Sequence, residues 1–252
     1  MLPGGRSGLK NETITERRLT VSFGPIMRFT VPKSGLKVEL APLTSESVQE
    51  NINYEHSGGM QRHSVTRYLG MSTAPTAEDE QEWFDKVRKD PHKLVWGIWL
   101  LEKGERTLIG VSSLDGIGQD GHAKFIRQAT SGSQIFRTEY WGKGIASTAH
   151  KARVWYAFNQ LGLHRIKSAV LQGNNGSAKA LERSGYNYVY TERNEDYIDG
   201  QLRHLDCFEC LNPLDTFWSQ WWGEDEPTSE SKKARELTRK AMAWADKNVE
   251  LL

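Results

Sequence analysis

Cysteine is scarce in this chain, with 2 residues among 252. Both fall in Asp206-Cys-Phe-Glu-Cys-Leu211, and one C-x-x-C pair without a second pair of ligands is weak evidence for a zinc site or a redox centre. The surrounding residues alternate as in a β-strand, which places side chains three positions apart on opposite faces. We therefore interpret Cys207 and Cys210 as incidental thiols, and we expect no metal.

Long apolar runs and an excess of one charge are also absent. The longest strongly apolar run, residues 94–101, is far shorter than the roughly 20 residues that span a bilayer. The first residues, Met1-Leu-Pro-Gly-Gly-Arg, lack the apolar core of a signal peptide, so we expect a cytoplasmic protein with no membrane partner. Lys and Arg number 33 against 32 Asp and Glu, a net charge of +1. This balance argues against direct nucleic-acid binding.

Material for a folded core is abundant, since 37% of the residues are hydrophobic and 9 are Trp. We divide the chain into an extension at 1–34, a domain at 35–213, and a Trp-rich segment with an amphipathic helix at 214–252. One face of that helix carries Leu237, Ala241, Trp244, Ala245, Val249 and Leu252. Docking on the core is the simpler role for this face, and a homodimer through the helix is the alternative.

The most informative segment is Glu139-Tyr-Trp-Gly-Lys-Gly-Ile-Ala146, which follows a predicted strand and opens a long predicted helix. A helix start exposes unpaired N–H groups that suit a phosphate, and Gly142 and Gly144 would let the backbone approach it closely. A Walker loop is excluded because Gly144 follows Lys143 where Ser or Thr is required. A dinucleotide fingerprint is excluded because Ser147 stands where a third Gly or Ala is expected.

The motifs that follow this segment along the chain make it more diagnostic than a Gly-Lys-Gly turn alone. Strand, Gly-Lys-Gly, helix, strand, Asn174-Asn-Gly-Ser177, helix and Gly185-Tyr186 together resemble the GNAT superfamily of acyl-CoA-dependent N-acyltransferases, and most closely its RimJ/RimL branch. The resemblance implies a mixed α/β fold with a mostly antiparallel sheet and splayed central strands. Acetyl-CoA would be the co-substrate. One departure is Glu139, where the family's pyrophosphate loop has Gln or Arg.

The resemblance also implies where the cofactor lies. The pantetheine arm would pair with the strand backbone at Ile135, Phe136 and Arg137, with help from Asn174. The pyrophosphate would rest on a run of six residues: Trp141, Gly142, Lys143, Gly144, Ile145 and Ala146. The alternative interpretation is a tight turn between strand and helix, with Asn174 capping the next helix.

Acyl transfer from a thioester requires a neutral amine, although an alkyl amine is mostly protonated at pH 7. A carboxylate can take the proton, directly or through water. The resemblance places this base in the hairpin after Gly185-Tyr186, where Asp196 matches best and Glu195 and Glu192 are neighbours. A solvated acidic turn is the alternative. Two histidines near the predicted sheet, His122 and His204, are further candidates for the base.

The departing thiolate needs a proton donor. Many family members supply it from a Tyr, at the position that Leu181 occupies here. In the RimL-like branch a Ser serves instead, so we assign Ser177, with helix capping as its alternative role.

The acceptor pocket is expected from the irregular residues 54–75 and from the hairpin near Tyr197. Arg62, His63, Arg67 and Tyr68 would suit an anionic group near the acceptor or form a solvated loop, whereas the acidic hairpin favours a cationic amine. We expect acetyl transfer to a protein N-terminus or a small-molecule amine, by direct attack in a ternary complex. The alternatives are a non-catalytic acyl-CoA-binding module and the same chemistry with a longer acyl-CoA.

Overall fold

The computed structural model describes residues 23–52, 59–71, 73–118 and 126–252. Within these ranges one sheet has the strand order β7-β8-β6-β5-β4-β3-β2-β1-β9. Its strands are β1 (Met27–Thr30), β2 (Lys37–Ala41), β3 (Leu94–Glu102), β4 (Glu105–Asp115), β5 (Gln128–Ile135), β6 (Arg165–Leu171), β7 (Asn187–Ile198), β8 (Gln201–Leu211) and β9 (Glu250–Leu251). Neighbouring strands are antiparallel except β5 and β6. The predicted mixed α/β fold with a mostly antiparallel sheet is confirmed.

Helices cover both faces of this sheet. They are α1 (Ser45–Val48), α2 (His63–Thr66), α3 (Ala77–Val87), α4 (Ile145–Asn159), α5 (Asn175–Glu182), α6 (Asp215–Trp222) and α7 (Ser229–Asn248). One hydrophobic cluster contains α4, while a second contains residues of α1, α2 and α3. Ile135, the last residue of β5, packs against the first cluster, and the next residue, Phe136, belongs to the second, as expected for extended backbone.

Local signals in the sequence account for several helix boundaries. Thr76 caps α3, accepting the Asp79 N–H at 3.2 Å, while the Asp79 carboxylate accepts the Thr76 N–H at 2.8 Å. This reciprocal pair satisfies two N–H groups that the first turn leaves unpaired. α4 is buried around most of its circumference, for example at Ile145, Ala149 and Phe158.

The two ends of the described chain meet at one edge of the sheet. β1, from the N-terminal extension, pairs with β2 on one side and with β9 on the other. The helical pattern extends to Leu252 in the sequence, but α7 ends at Asn248 and Val249 is extended (φ −99°, ψ 118°). Continuation of the helix to the last residue is therefore wrong, because pairing with β1 takes over there. The division at residues 34 and 214 stays a prediction.

The C-terminal helix α7 docks on the chain's own core. Its buried residues Ala234, Thr238, Ala241 and Ala245 share one face, which packs against α4 and β8. Docking on the core, the simpler of the two roles expected for this helix, is therefore the arrangement in this structure. Homodimerisation through α7 stays a prediction, and only the outer face of the helix is open to a second copy.

Gly185 sits directly beneath α7, in the left-handed region (φ +95°). A Cβ atom here would lie 2.7 Å from the Thr238 Cα. We expect Gly185→Ala to lower the free energy of unfolding by about 3 kcal/mol, since backbone strain and overlap add. Urea unfolding measures the loss. Gly200→Ala is the control, because Gly200 has φ +76° and open space around it; equal losses at both sites would contradict this account.

Candidate active site

β5 and β6 begin as a parallel pair and then separate. Their register covers only Gln128↔Arg165, Ala129↔Ile166 and Thr130↔Lys167. Both strands continue beyond this point, β5 to Ile135 and β6 to Leu171. The sheet therefore opens between them, which confirms the predicted splay of the central strands.

Backbone groups of β5 line this β5–β6 opening. The Phe136 N–H donates to the Ile109 carbonyl over 3.1 Å, towards β4. Alternate residues of an antiparallel strand direct their N–H and C=O groups to opposite sides. Ser133 and Ile135 therefore face the opening, where they can pair with an extended ligand as a neighbouring strand would.

The structure differs here from the sequence-based expectation for the pantetheine arm. The N–H groups of Phe136 and Arg137 both donate to the Ile109 carbonyl, at 3.1 and 3.5 Å, so they are turned away from the opening. Ser133, which the sequence analysis does not name, faces the opening beside Ile135. The backbone groups of β5 that face the opening can be identified only once its register with β4 is known.

The glycine loop (residues 141–144) joins β5 to α4 and has the left-handed backbone that glycine permits. Gly142 has φ +73° and Gly144, the N-cap of α4, has φ +88°. The first N–H that reaches back to Gly144 is that of Thr148, at 3.1 Å. The N–H groups of Ile145 and Ala146 consequently lack a helical acceptor and are available to an anion.

Side chains around the glycine loop are unequally suited to bind phosphate. Lys143 is exposed, with Nζ 4.9 Å from the centre of the Tyr140 ring. The Trp141 side chain is 47% exposed, and its indole N–H donates to the Ile135 carbonyl over 2.8 Å. The Arg137 guanidinium is committed elsewhere, since it lies 3.7 Å from the Glu50 carboxylate.

Asn174 and Ser177 stand at the start of α5, directly after β6. Asn174 caps the helix, its Oδ1 accepting the Ser177 N–H over 3.3 Å. The alternative capping role is thus present, and it uses only the side-chain oxygen of Asn174. Ser177 is half-buried, and its hydroxyl makes no hydrogen bond within the described part of the chain. Leu181 is 2% exposed, so the position of the family's usual tyrosine lies in the core.

The hairpin strand β7 contains an irregularity near the candidate bases. It continues to Ile198 although its register with β8 shifts between Glu192 and Asp196. The shift is a bulge in which Asn194 has φ +58°. The Asn194 N–H donates to His204 Nδ1 over 3.1 Å.

The bulge separates the candidate bases. Glu195 is exposed within it, whereas Asp196 is half-buried and back in the ladder opposite Arg203. Asp196 Oδ2 lies 3.9 Å from the position of a Cβ on Gly70, so it faces the irregular segment that was expected to build the acceptor pocket. His204 braces the bulge through Nδ1, and His122 lies outside the described residues.

We call residues 62–70, around α2, the acceptor segment. It is fastened to the turn between β7 and β8, where Asp199 accepts hydrogen bonds from His63 at 2.9 Å and Arg67 at 3.3 Å. The hydrogen bond from His63, with a smaller attraction from Arg67, lowers the pKa of Asp199 below its usual value. The carboxylate is therefore ionised at neutral pH and neutralises part of the positive charge of the segment.

Tyr68 of the acceptor segment lies beside the loop that follows β6, on the β6 side of the opening. Its hydroxyl accepts a hydrogen bond from Arg67 over 2.9 Å. The same oxygen lies 3.0 Å from the position of a Cβ on Gly173, the residue before Asn174. The acceptor segment thus touches both the hairpin that carries Asp196 and the loop that leads to Ser177.

A buried arginine braces β4 and β5 behind the opening, and the sequence analysis did not identify it. Arg153 of α4 donates to Ser112 Oγ at 2.9 Å, to the Gly132 carbonyl at 2.6 Å and to His150 Nδ1 at 2.6 Å. Burial, and then the nearby Arg153 charge, lower the pKa of His150 well below 6.5. His150 is therefore a neutral acceptor that helps hold the guanidinium in place.

The described residues offer little evidence for a metal centre, a reactive thiol or a membrane-spanning helix. No group of three His, Cys, Asp or Glu side chains is arranged to hold a metal ion there. Cys207 is half-buried and Cys210 is buried, both are free thiols, and burial raises the pKa of Cys210 to about 12. None of the helices in this part of the chain has the length and hydropathy needed to cross a membrane.

Structural comparison places the same fold in known acetyltransferases. A spermidine N-acetyltransferase from Vibrio cholerae, in complex with CoA and spermine, matches with a TM-score of 0.58 and 20% identity, over 69% of this chain and 95% of that one. RimJ from Mycobacterium smegmatis, in complex with CoA-disulfide, also gives 0.58, at 17% identity over 91% and 97% of the two chains. These likenesses show a shared fold.

Sequence comparison extends the result to the family. The probable N-acetyltransferase YjcK of Bacillus subtilis is 38% identical over 74 residues, which are 29% of this chain and 41% of that protein. The uncharacterized N-acetyltransferase YoaA of the same organism is 28% identical over 152 residues, 59% of this chain and 81% of that protein. The family model of the acetyltransferase (GNAT) domain matches residues 37–187. The chain therefore belongs to the GNAT acetyltransferase family, and the expectation of an acyltransferase is confirmed at this level.

Proposed function

We propose that this protein transfers an acetyl group from acetyl-CoA to a primary amine while both substrates are bound. The observation that carries the proposal is the β5–β6 opening, which leads directly into the left-handed glycine loop and the free N–H groups of α4. The pantetheine arm pairs with Ser133 and Ile135, and the diphosphate accepts hydrogen bonds from the start of α4. Asn174 offers its amide nitrogen to the pantetheine carbonyl.

The reaction joins the amine to the acetyl carbon. Asp196 takes a proton from the ammonium group, directly or through one water, and leaves a neutral nucleophile. The amine nitrogen forms a bond with the thioester carbon, and a β5 N–H at the opening stabilises the oxyanion. The C–S bond then breaks as the attacking nitrogen gives up its second proton, which passes through the Ser177 hydroxyl to the departing thiolate. Asp196 releases the first proton to solvent, so both side chains return to their starting states.

The charge around the acceptor segment favours a cationic amine. His63 and Arg67 are paired with Asp199, so they are less suited to hold an anionic substrate. Asp196 faces the same space, and Glu195 is exposed nearby without an ion pair within the described residues. A polyamine and a peptide with a free N-terminus both meet this requirement.

Release of free CoA thiol with these two amines tests the proposal. We expect turnover with spermidine or with a short unacetylated peptide, and acetylated amine in equal amount by mass spectrometry. Acetyl-CoA binding without turnover by any amine would instead favour a non-catalytic acyl-CoA-binding module, for which the leucine at position 181 is the supporting observation. Preference for a longer acyl-CoA would keep the chemistry and change the donor.

The bonds to Asp199 give a separate prediction about the amine. We expect Asp199→Asn to raise the KM for the amine about threefold to fivefold, the usual range for exposed ion pairs, with the KM for acetyl-CoA unchanged. Because its pKa is lowered, Asp199 stays ionised from pH 6 to 9, and its bonds are lost only as the pH falls through that lowered value. Asp225→Asn, at an exposed site after α6, is the control. An unchanged KM for the amine would contradict the prediction.

A further inference from the structure

The turn between β1 and β2 lies against the glycine loop. Lys33 of this turn donates from Nζ to the Gly142 carbonyl over 2.5 Å, although the two residues are 109 positions apart. The Lys33 Cβ lies 3.0 Å from the position of a Cβ on Gly144, and Val31 Cγ1 lies 3.5 Å from the same position. The turn thus packs on both glycines of the loop.

Backbone bonds hold this turn in place independently of the lysine side chain. The Val31 N–H donates to the Leu36 carbonyl and the Gly35 N–H to the Val31 carbonyl, each over 2.8 Å. β1 is further fixed between β2 and β9. The pairing of the two chain ends therefore positions Lys33 at the glycine loop.

No carboxylate among the described residues neutralises the charge of Lys33. Its side chain is exposed and makes no ion pair with a carboxylate in the described ranges. An ammonium group has three N–H donors, and the Gly142 carbonyl uses one of them. Glu139, three residues before Gly142, is exposed and negative. A free cation beside an anion-binding loop offsets this carboxylate.

We propose that Lys33 is part of the acyl-CoA site and donates a charge-assisted hydrogen bond to a phosphate of the cofactor. The inference rests on the proposed function and adds a residue from outside the matched acetyltransferase domain, which begins at residue 37. The Gly142 carbonyl holds the ammonium group beside the start of α4, which leaves two N–H donors for a phosphate of the cofactor. The N-terminal extension thereby becomes part of the cofactor site.

The test compares Lys33→Met, Lys33→Arg and Lys37→Met with three acetyl donors: acetyl-CoA, 3′-dephospho-acetyl-CoA and S-acetyl-pantetheine. Lys37 is the matched control, since it is exposed at the start of β2 in the same hairpin. We expect Lys33→Met to raise the KM for acetyl-CoA about tenfold, the effect of one charge-assisted hydrogen bond, with kcat within about twofold of wild type. Lys33→Arg restores most of the affinity, because the charge is kept.

Comparing the three donors distinguishes loss of the Lys33 charge from a change in the conformation of the glycine loop. With S-acetyl-pantetheine, which has no diphosphate, we expect kcat/KM to be the same for Lys33→Met and wild type. An equal loss with this donor, or no loss with acetyl-CoA, would overturn the proposal. If Lys33→Met also raises the KM for 3′-dephospho-acetyl-CoA, Lys33 contacts the diphosphate. If the KM for this donor is the same in Lys33→Met and wild type, Lys33 contacts the 3′-phosphate. Failure of the wild-type protein to bind acetyl-CoA would instead refute the proposed function itself.

Discussion

Gly144→Val is expected to lower the affinity for acetyl-CoA by about a hundredfold or more. Gly144 has φ +88°, a conformation that a β-branched residue scarcely adopts. The added Cβ would also lie 3.0 Å from Lys33 Cβ. The loop must therefore rearrange, and the N–H groups at the start of α4 lose their common direction. Loss of two charge-assisted hydrogen bonds to a phosphate accounts for an effect of this size.

Calorimetric titration with acetyl-CoA measures the change, and Gly104→Val is the matched control. Gly104 lies between β3 and β4 with φ +85° and nothing within 4 Å of its Cβ position. Both variants carry the same backbone strain, but only Gly144 is at the proposed cofactor site. Unchanged affinity in folded Gly144→Val, shown by its thermal unfolding, would refute the assignment of the glycine loop to the phosphates.

Asp196→Asn is expected to reduce kcat by about a hundredfold to a thousandfold, the usual contribution of a general base. The amide keeps the size of the side chain and its bond from the Tyr197 N–H, which the Asp196 Oδ1 accepts over 2.7 Å. The KM for acetyl-CoA is expected to stay unchanged because the proposed cofactor site is built from β5 and the start of α4, not from the hairpin that carries Asp196. Steady-state kinetics with saturating amine measures both constants.

Glu195→Gln distinguishes the two adjacent carboxylates. Since Glu195 is exposed within the bulge, we expect it to lose less than about fivefold in kcat, the range of a surface charge effect. The opposite order of effects would assign the base to Glu195. Wild-type turnover by Asp196→Asn across pH 6–9 would eliminate Asp196 from the reaction.

Local sequence signals predicted the elements that depend on neighbouring residues. The long helix after the glycine loop, the Asn174 cap and the strand around Cys207 and Cys210 each depend on residues within a few positions of one another. The Gly185-Tyr186 motif was likewise visible. The structure adds that Gly185 leaves room for Thr238 of α7, a contact between residues far apart in the chain.

The site was predictable only as far as its motifs extend. The left-handed glycines of the loop follow from Gly142 and Gly144 themselves, but the free edge of β5 depends on its register with β4. Lys33 reaches the loop because β9 pairs with β1. The bond of Asp199 to the acceptor segment also joins distant parts of the chain. No spacing in the sequence encodes such contacts, since they depend on how the sheet and helices assemble.

Calorimetric titration of the purified protein with acetyl-CoA, and with CoA lacking the acyl group, tests the central claim most directly. The account predicts micromolar binding of acetyl-CoA to one site per chain, with CoA bound in competition because both share the diphosphate and pantetheine. Binding by neither ligand would contradict it, since the β5–β6 opening and the glycine loop would then be structural features without a cofactor.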